Sequence, residues 1–253
     1  MVIKISSYAT LALALICLYG QAGAEKARVD GSRADEVLVG KIYEKDSNLQ
    51  DLLFDFRRTA DRVADKVRVT RTYMYPDGRT AAIEKAAYKN RKLVSYTLVE
   101  KQINAQGRVE IHGDAQAGSG TISFHYEKNG ETYTNVEDLK RATVVNDNIV
   151  PYLQAHWNAL MQGREVELHY IVISRTRTVG FTLMKSGETT WRGRPAVVIK
   201  MVPSSWFISL VVDPVYFTVV KENRRVVKYE GRVTPKIEAN GEWQDLDAVM
   251  VFP

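Results

Sequence analysis

The chain has 253 residues, 45% of them hydrophobic and 26% charged, enough for one large domain or two small ones with a real core. Its net charge of +5 is mild, and the bases alternate with acids along the chain instead of forming blocks, which argues against a nucleic-acid specialist. A single cysteine excludes a disulfide framework.

The first residues read as an export signal. MVIKISS supplies a basic start, YATLALALICLY an apolar stretch, and QAGA a small-residue end with Ala22 and Ala24 at the positions that a signal peptidase reads. Residues 1–24 are therefore expected to be a signal peptide cleaved after Ala24, which places the mature chain in the periplasm. The apolar run is too short to span a bilayer. Cys17 lies inside this leader and is preceded by Ala14-Leu15-Ile16, where a lipoprotein signal wants small residues, so no lipoprotein acylation is expected. The mature chain then has no thiol, no Cys nucleophile and no Cys-based metal site. Removing Lys4 with the leader leaves it at +4.

Residues 25–35 lack apolar periodicity and read as a flexible lead-in to a single domain that runs to 253. A short amphipathic stretch comes after it, with Val37, Leu38, Ile42 and Tyr43, then Leu49, Leu52, Leu53, Phe54 and Phe56. From Lys66 the pattern alternates, as strands with two different faces do. KVRVTRTYMY ends at Pro76-Asp77-Gly78, a turn in which Pro presets φ while Asp and Gly tolerate the reversal of the chain. TAAIEKAAY, KLVSYTLVEKQI, RVEIHG and GTISFHYEK come next, the last ending at Asn129-Gly130, a tight-hairpin signal. NVEDLKRA and NDNIVPYLQAHWNALMQG read as helical. In the second, Asn146 to Asn148 offer caps, Pro151 suits a first turn, Ile149, Leu153, His156, Trp157 and Leu160 share one face, and Gly163 is a natural stop. Strands then resume with REVELHYIVIS, RTVGFTLMK, RPAVVIKMV, WFISLVV, VYFTVV, RRVVKYEGRV and DAVMVF.

The expected fold is mainly β: an antiparallel meander curled into an incompletely closed β-barrel, with one or two helices packed on the concave face. Open sheets of this size tend to curl or close.

No constellation of catalytic residues stands out. The four histidines form no metal-type pair, there is no Gly-x-Ser-x-Gly elbow, and Gly118-Ser119-Gly120 lacks the helix and Lys of a phosphate loop. His112 and His125 sit in adjacent expected strands and are candidates to pair across them, while His156 reads as a satisfied core histidine. No catalytic residue, metal or cofactor is expected, and the chain reads as a non-enzyme. The positive signal is apolar. WFISLVV and VYFTVV, joined at Asp213-Pro214, are apolar on both faces, where a strand with one wet face alternates more cleanly. Such a hairpin either packs on both sides or lines a cavity for an acyl chain. The half-barrel wall candidates are Trp206, Ile208, Leu210 and Phe217, with Leu153, Trp157 and Leu160 from the helix. Asp213-Pro214 divides the run into strand-length halves, so it is not a transmembrane span.

SLVVDPVYFTVVKENRRVVKYEGR, behind an export signal and a meander broken by a helix, resembles the periplasmic lipoprotein-carrier (LolA/LolB-like) superfamily and related exported bacterial proteins of unknown function. Val212-Asp213-Pro214 and Lys221 to Arg225 carry the resemblance, which loosely covers residues 50–235. It implies an incompletely closed barrel with an apolar concave face lidded by helices, holding lipid chains in the carriers. WRGRPAVVIKM and LMQGREVELHYIV look more like the uncharacterised relatives. Two functions are therefore expected. One is a periplasmic protein that binds or carries a hydrophobic, acyl or lipid-like ligand. The other is a cell-envelope interaction or assembly module, with an envelope protein as partner, whose curved sheet is filled by its own helix.

Overall fold

In the computed structural model, which describes residues 33–209 and 212–253, the chain forms one 15-stranded sheet. The first meander comprises β1 (Arg33–Glu44), β2 (Leu52–Val63), β3 (Lys66–Met74), β4 (Thr80–Lys89), β5 (Lys92–Glu100), β6 (Ala105–Asp114), β7 (Ser119–Lys128) and β8 (Glu131–Asp138). A two-residue strand, β9 (Thr143–Val144), leads into α1 (Ile149–Ala155) and α2 (Trp157–Met161). The second meander comprises β10 (Val166–Val172), β11 (Arg177–Trp191), β12 (Arg194–Pro203), β13 (Val215–Val220), β14 (Val226–Ala239) and β15 (Glu242–Val251), with a one-turn helix, α3 (Trp206–Ser209), between β12 and β13.

The sheet order runs from β8 down to β1, then from β15 down to β9. The two meanders are thus joined where the first and last strands pair, with Ile42 opposite Met250. All pairings are antiparallel except the short β9–β10 pair. The sheet is not closed, but it curls until its edge strand β8 meets the turn between β10 and β11 through side chains. Asn135 on β8 donates to the Thr176 carbonyl at 2.8 Å, and the Glu137 carboxylate accepts from the Thr178 amide at 3.0 Å and its hydroxyl at 2.9 Å. Opposite walls also touch: the Gln102 amide donates to the Lys236 carbonyl at 2.9 Å and accepts from the Lys236 amide at 2.8 Å.

The turns obey their residues. Asn129 (φ 53°) and Gly130 (φ 84°) close the β7–β8 hairpin in the left-handed region that such two-residue turns need. At Pro76-Asp77-Gly78 the Tyr75 and Arg79 backbones close at 2.8 Å and the Asp77 carboxylate caps the Arg79 amide at 3.0 Å.

Several sequence expectations need correction. Of the lead-in at 25–35, residues 25–32 lie outside the described residues and Arg33 to Asp35 open β1. The leader at 1–24 also lies outside them. NVEDLKRA is not helical: Asn135 to Asp138 finish β8, drawn into pairing with β7 by the Asn-Gly hairpin that precedes them. Trp206 to Ser209 of WFISLVV form a helical turn and not a strand, while Leu210 and Val211 lie outside the described residues. β12 pairs directly with β13, Met201 opposite Val215, so the run falls in the connection between them. There the Ser209 amide reaches back to the Ser205 carbonyl at 3.0 Å, closing a helical turn. A short run that is apolar on both faces carries no period with which to tell strand from helix. Asp213-Pro214 therefore lies in the approach to β13 and is not the tip of a hairpin.

Candidate functional site

The helical arm, residues 146–161, lies over the concave face. Asn148 stands at its N-cap, with a side-chain oxygen that accepts from the preceding Val145 amide at 2.7 Å and not from the first turn, and its end is set by Gly163 (φ 75°), whose amide returns to the Leu160 carbonyl at 3.0 Å. Ile149, Leu153, Trp157 and Leu160 form its inner stripe and are buried against Leu168, Leu183, Ile199, Val215, Phe217 and Val219. Leu153 and Leu160 are completely buried, and Phe217 is 1% exposed. Four of the wall candidates, Leu153, Trp157, Leu160 and Phe217, are thus brought together.

The other three are not. Trp206 is 63% exposed and its ring stacks on Phe207, itself 67% exposed, with centroids 3.8 Å apart. Leu210 and the side chain of Ile208 lie outside what the structure describes. The histidines also separate. His112 stands opposite Thr121 and His125 opposite Arg108, so the two do not pair. The His156 ring donates through Nδ1 to the Tyr152 carbonyl at 2.9 Å.

Beneath the arm lies a polar floor that the sequence pattern does not single out. Arg58, Arg71 and Glu84 stand opposite one another on β2, β3 and β4 and form a cross-strand row. Two cations side by side in such a row repel, and two acids balance them. Arg71 Nη1 lies 3.0 Å from Glu84 Oε2. The second acid comes from the arm: Arg58 Nε donates to Asp147 Oδ1 at 2.6 Å, and the Tyr88 hydroxyl donates to Asp147 Oδ2 at 2.9 Å. The preceding residue ties the same root to the same row, as Asn146 Nδ2 donates to Glu84 Oε1 at 2.7 Å. The hydroxyls of Thr234 and Tyr73 also donate to that oxygen, and the Tyr170 hydroxyl donates to Asn146 Oδ1.

Glu84 is 1% exposed, and these donors replace the water that its carboxyl group has lost. Arg71 Nη1 and Glu84 Oε2 approach each other out of line and make no hydrogen bond there. Burial alone would weaken the Arg71 charge, but the facing Glu84 carboxylate, together with Tyr73, Tyr96 and Asp147, more than offsets this and raises its pKa. Burial pushes the Tyr73, Tyr88, Tyr96 and Tyr170 hydroxyls well above their ordinary range, so they remain donors. The signal for this floor is parity. Arg71 falls on the same face of β3 as buried Val69 and Tyr73, and Glu84 on the same face of β4 as buried Ala82 and Ala86.

A cavity of about 60 Å³ remains between the first turn of the arm and β13 to β15. Its apolar wall includes Ile149, Phe217, Val233 and Phe252, and its polar end is formed by Arg71, Asn146 and Thr234. A wider groove of about 630 Å³ opens to solvent among Phe54, Tyr75, Gln102, Lys236 and Trp243. Two of its cations are paired, Arg79 with Asp77 at 2.8 Å and Lys236 with Asp245 at 2.6 Å. Among the described residues no group of His, Cys, Asp or Glu is placed to hold a metal ion. No helix among them is long and apolar enough to cross a membrane.

No family model and no curated protein matches the chain. Two solved structures are similar. One is a beta-barrel-like protein of the domain of unknown function DUF1849 from Brucella abortus, 9% identical over 87% of this chain and 94% of that one, with a TM-score of 0.41. The other is a putative outer membrane lipoprotein-sorting protein domain from Vibrio parahaemolyticus, 9% identical over 86% of this chain and 83% of that one, with a TM-score of 0.29.

Proposed function

We propose that the mature chain is an exported, non-enzymatic binding protein that takes an amphiphile with a long acyl chain into the half-barrel in place of its own helical arm. One observation carries this reading. Among the described residues the arm makes no backbone–backbone hydrogen bond to a strand, and holds the sheet through its apolar stripe and a few side-chain contacts. Such a cover can be exchanged for another apolar body without breaking a ladder.

The magnitudes match. Exposing Ile149, Leu153, Trp157 and Leu160 costs about 6–12 kcal/mol at about 1.5–3 kcal/mol each, while burying a chain of about 14 methylenes returns about 11 kcal/mol at roughly 0.8 each. A chain of half that length falls short. The interior charges of Arg58, Arg71, Glu84 and Asp147 already cancel, so a neutral ester or glycerol head suits the floor better than a further ion, whose desolvation nothing offsets.

The tight packing of the arm and the 60 Å³ cavity favour the second reading, an envelope interaction module whose sheet is permanently filled. The test is native mass spectrometry of protein purified from cells for co-purifying lipid, with displacement of a fluorescent fatty acid from the delipidated chain. Bound lipid and displacement that strengthens from an 8-carbon to a 16-carbon chain support the carrier. An empty chain with no displacement at any length leaves the filled module.

A further inference from the structure

The bases that alternate with acids along the sequence are sorted by the fold. Hairpin turns alternate between the two ends of a meander, so the topology decides which end each charge joins. One end collects the connections at 63–66, 89–92, 114–119, 138–143, 161–166, 191–194 and 220–226, and these hold twelve Lys or Arg against five carboxylates. The opposite end, with the described residues of 44–52, 74–80, 100–105, 128–131, 172–177, 203–215 and 239–242, holds six against eight.

The basic end also sets like charges face to face. Lys66 stands directly opposite Lys89, and Lys89 opposite Lys92, a row of three lysines across β3, β4 and β5. Directly opposed like charges are unfavourable in a sheet, and one carboxylate, Asp114 at 2.7 Å from Lys92, offsets this row. Arg192 and Arg194 are exposed on the β11–β12 turn beside Trp191, with the Arg192 guanidinium 5.4 Å from the centre of the indole. Arginine next to tryptophan on a projecting turn suits the boundary between water and lipid headgroups. The arm reaches this same end: Gln154 donates to the Arg224 carbonyl at 2.8 Å, and the Arg224 guanidinium lies 5.9 Å from the centre of the Trp157 ring.

We infer that this basic end is a docking surface for an anionic lipid bilayer, with phosphate headgroups meeting the lysine row and the arginine turns. The charge complementarity is that of a polybasic surface on a negatively charged leaflet, where each cation strengthens binding about fivefold and salt weakens it. The surface stands whether or not the interior holds a lipid, since none of its residues belongs to the buried floor.

The test is co-sedimentation of the mature chain with phosphatidylcholine vesicles with and without 30 mol% phosphatidylglycerol. The chain should bind the anionic vesicles only, and release in 0.5 M salt. A charge-reversed Lys66→Glu/Lys89→Glu/Arg194→Glu chain should lose on the order of a hundredfold in affinity or more. All three positions are exposed turn or strand-end sites, and an unchanged thermal melt verifies folding. A control Lys45→Glu/Arg175→Glu chain, altered at the opposite end, should bind as the native chain does. Equal binding to both vesicle types, or equal loss in the control, overturns the inference. Retention on heparin without vesicle binding overturns it too and assigns the surface to a soluble polyanion.

Discussion

Glu84→Gln tests the buried floor most directly. The substitution keeps the shape of the side chain and an oxygen for Asn146 and Thr234, but removes the charge that faces Arg71 at 3.0 Å. Glu84 is 1% exposed, and only 13% of the Arg71 side chain is reached by solvent, so the guanidinium is left as a buried charge without its counterion. Breaking one side of a buried pair costs about 3–5 kcal/mol. For a domain of this size each kcal/mol is worth about 2–4 °C, so the midpoint of thermal unfolding should fall by about 6–20 °C. Urea unfolding at pH 7 supplies the free energy. Arg71→Met should cost a similar amount, and the double variant should recover about 1–3 kcal/mol relative to the sum, the coupling expected of neighbours in one network. A loss below about 1 kcal/mol for Glu84→Gln, or additive single losses, would refute the reasoning that the pair is a buried, mutually dependent unit.

Asp147→Asn should loosen the arm without unfolding the sheet, because Arg58 and Tyr88 hold the root of the arm through that carboxylate; faster amide hydrogen exchange confined to residues 149–161 is the expected readout, and uniform exchange along the chain counts against it. Leu160→Ala should cost about 2–5 kcal/mol in urea unfolding, since a fully buried side chain leaves a cavity behind. Replacing Trp206 and Phe207 by Ser should change stability by no more than about 0.5 kcal/mol each, as both rings are exposed; a larger loss would mean that they pack on the domain. Glu188 is held down to about 2 by hydrogen bonds from Lys185 and Lys221. Because its folded value lies below its ordinary value, its contribution is complete above about pH 4.5 and is lost as the pH falls through about 2. The difference in melting temperature between the native chain and Glu188→Gln should therefore shrink across that window, and a constant difference would exclude the linkage.

The incompletely closed sheet implied by the resemblance is present, while its most specific element, Asp213-Pro214, lies in a connection and not at the tip of a hairpin. Strands with one wet face are legible because period-two alternation is a local property: KVRVTRTYMY and GTISFHYEK lie where their patterns put them. The arm was legible for the same reason, with Ile149, Leu153, Trp157 and Leu160 at helical spacing and Asn148 and Gly163 at its ends. Local preference failed where a segment is apolar on every face. Trp206 to Ser209 became an exposed turn because the β12–β13 register left it no strand to pair with.

The sequence by itself determined that this chain is mainly β, that one amphipathic helix interrupts the meander, and which face of each element is apolar, since these depend on the order of side chains along a few residues. Only the tertiary structure decided which distant residues meet. It brought Asp147 to Arg58 across 89 positions and Thr234 to Glu84 across 150, and it sent Lys66, Lys89 and Arg194 to one end. Burial of a charge and the summed field of a surface depend on strand register and sheet order, which alternation specifies for each strand and leaves open between strands.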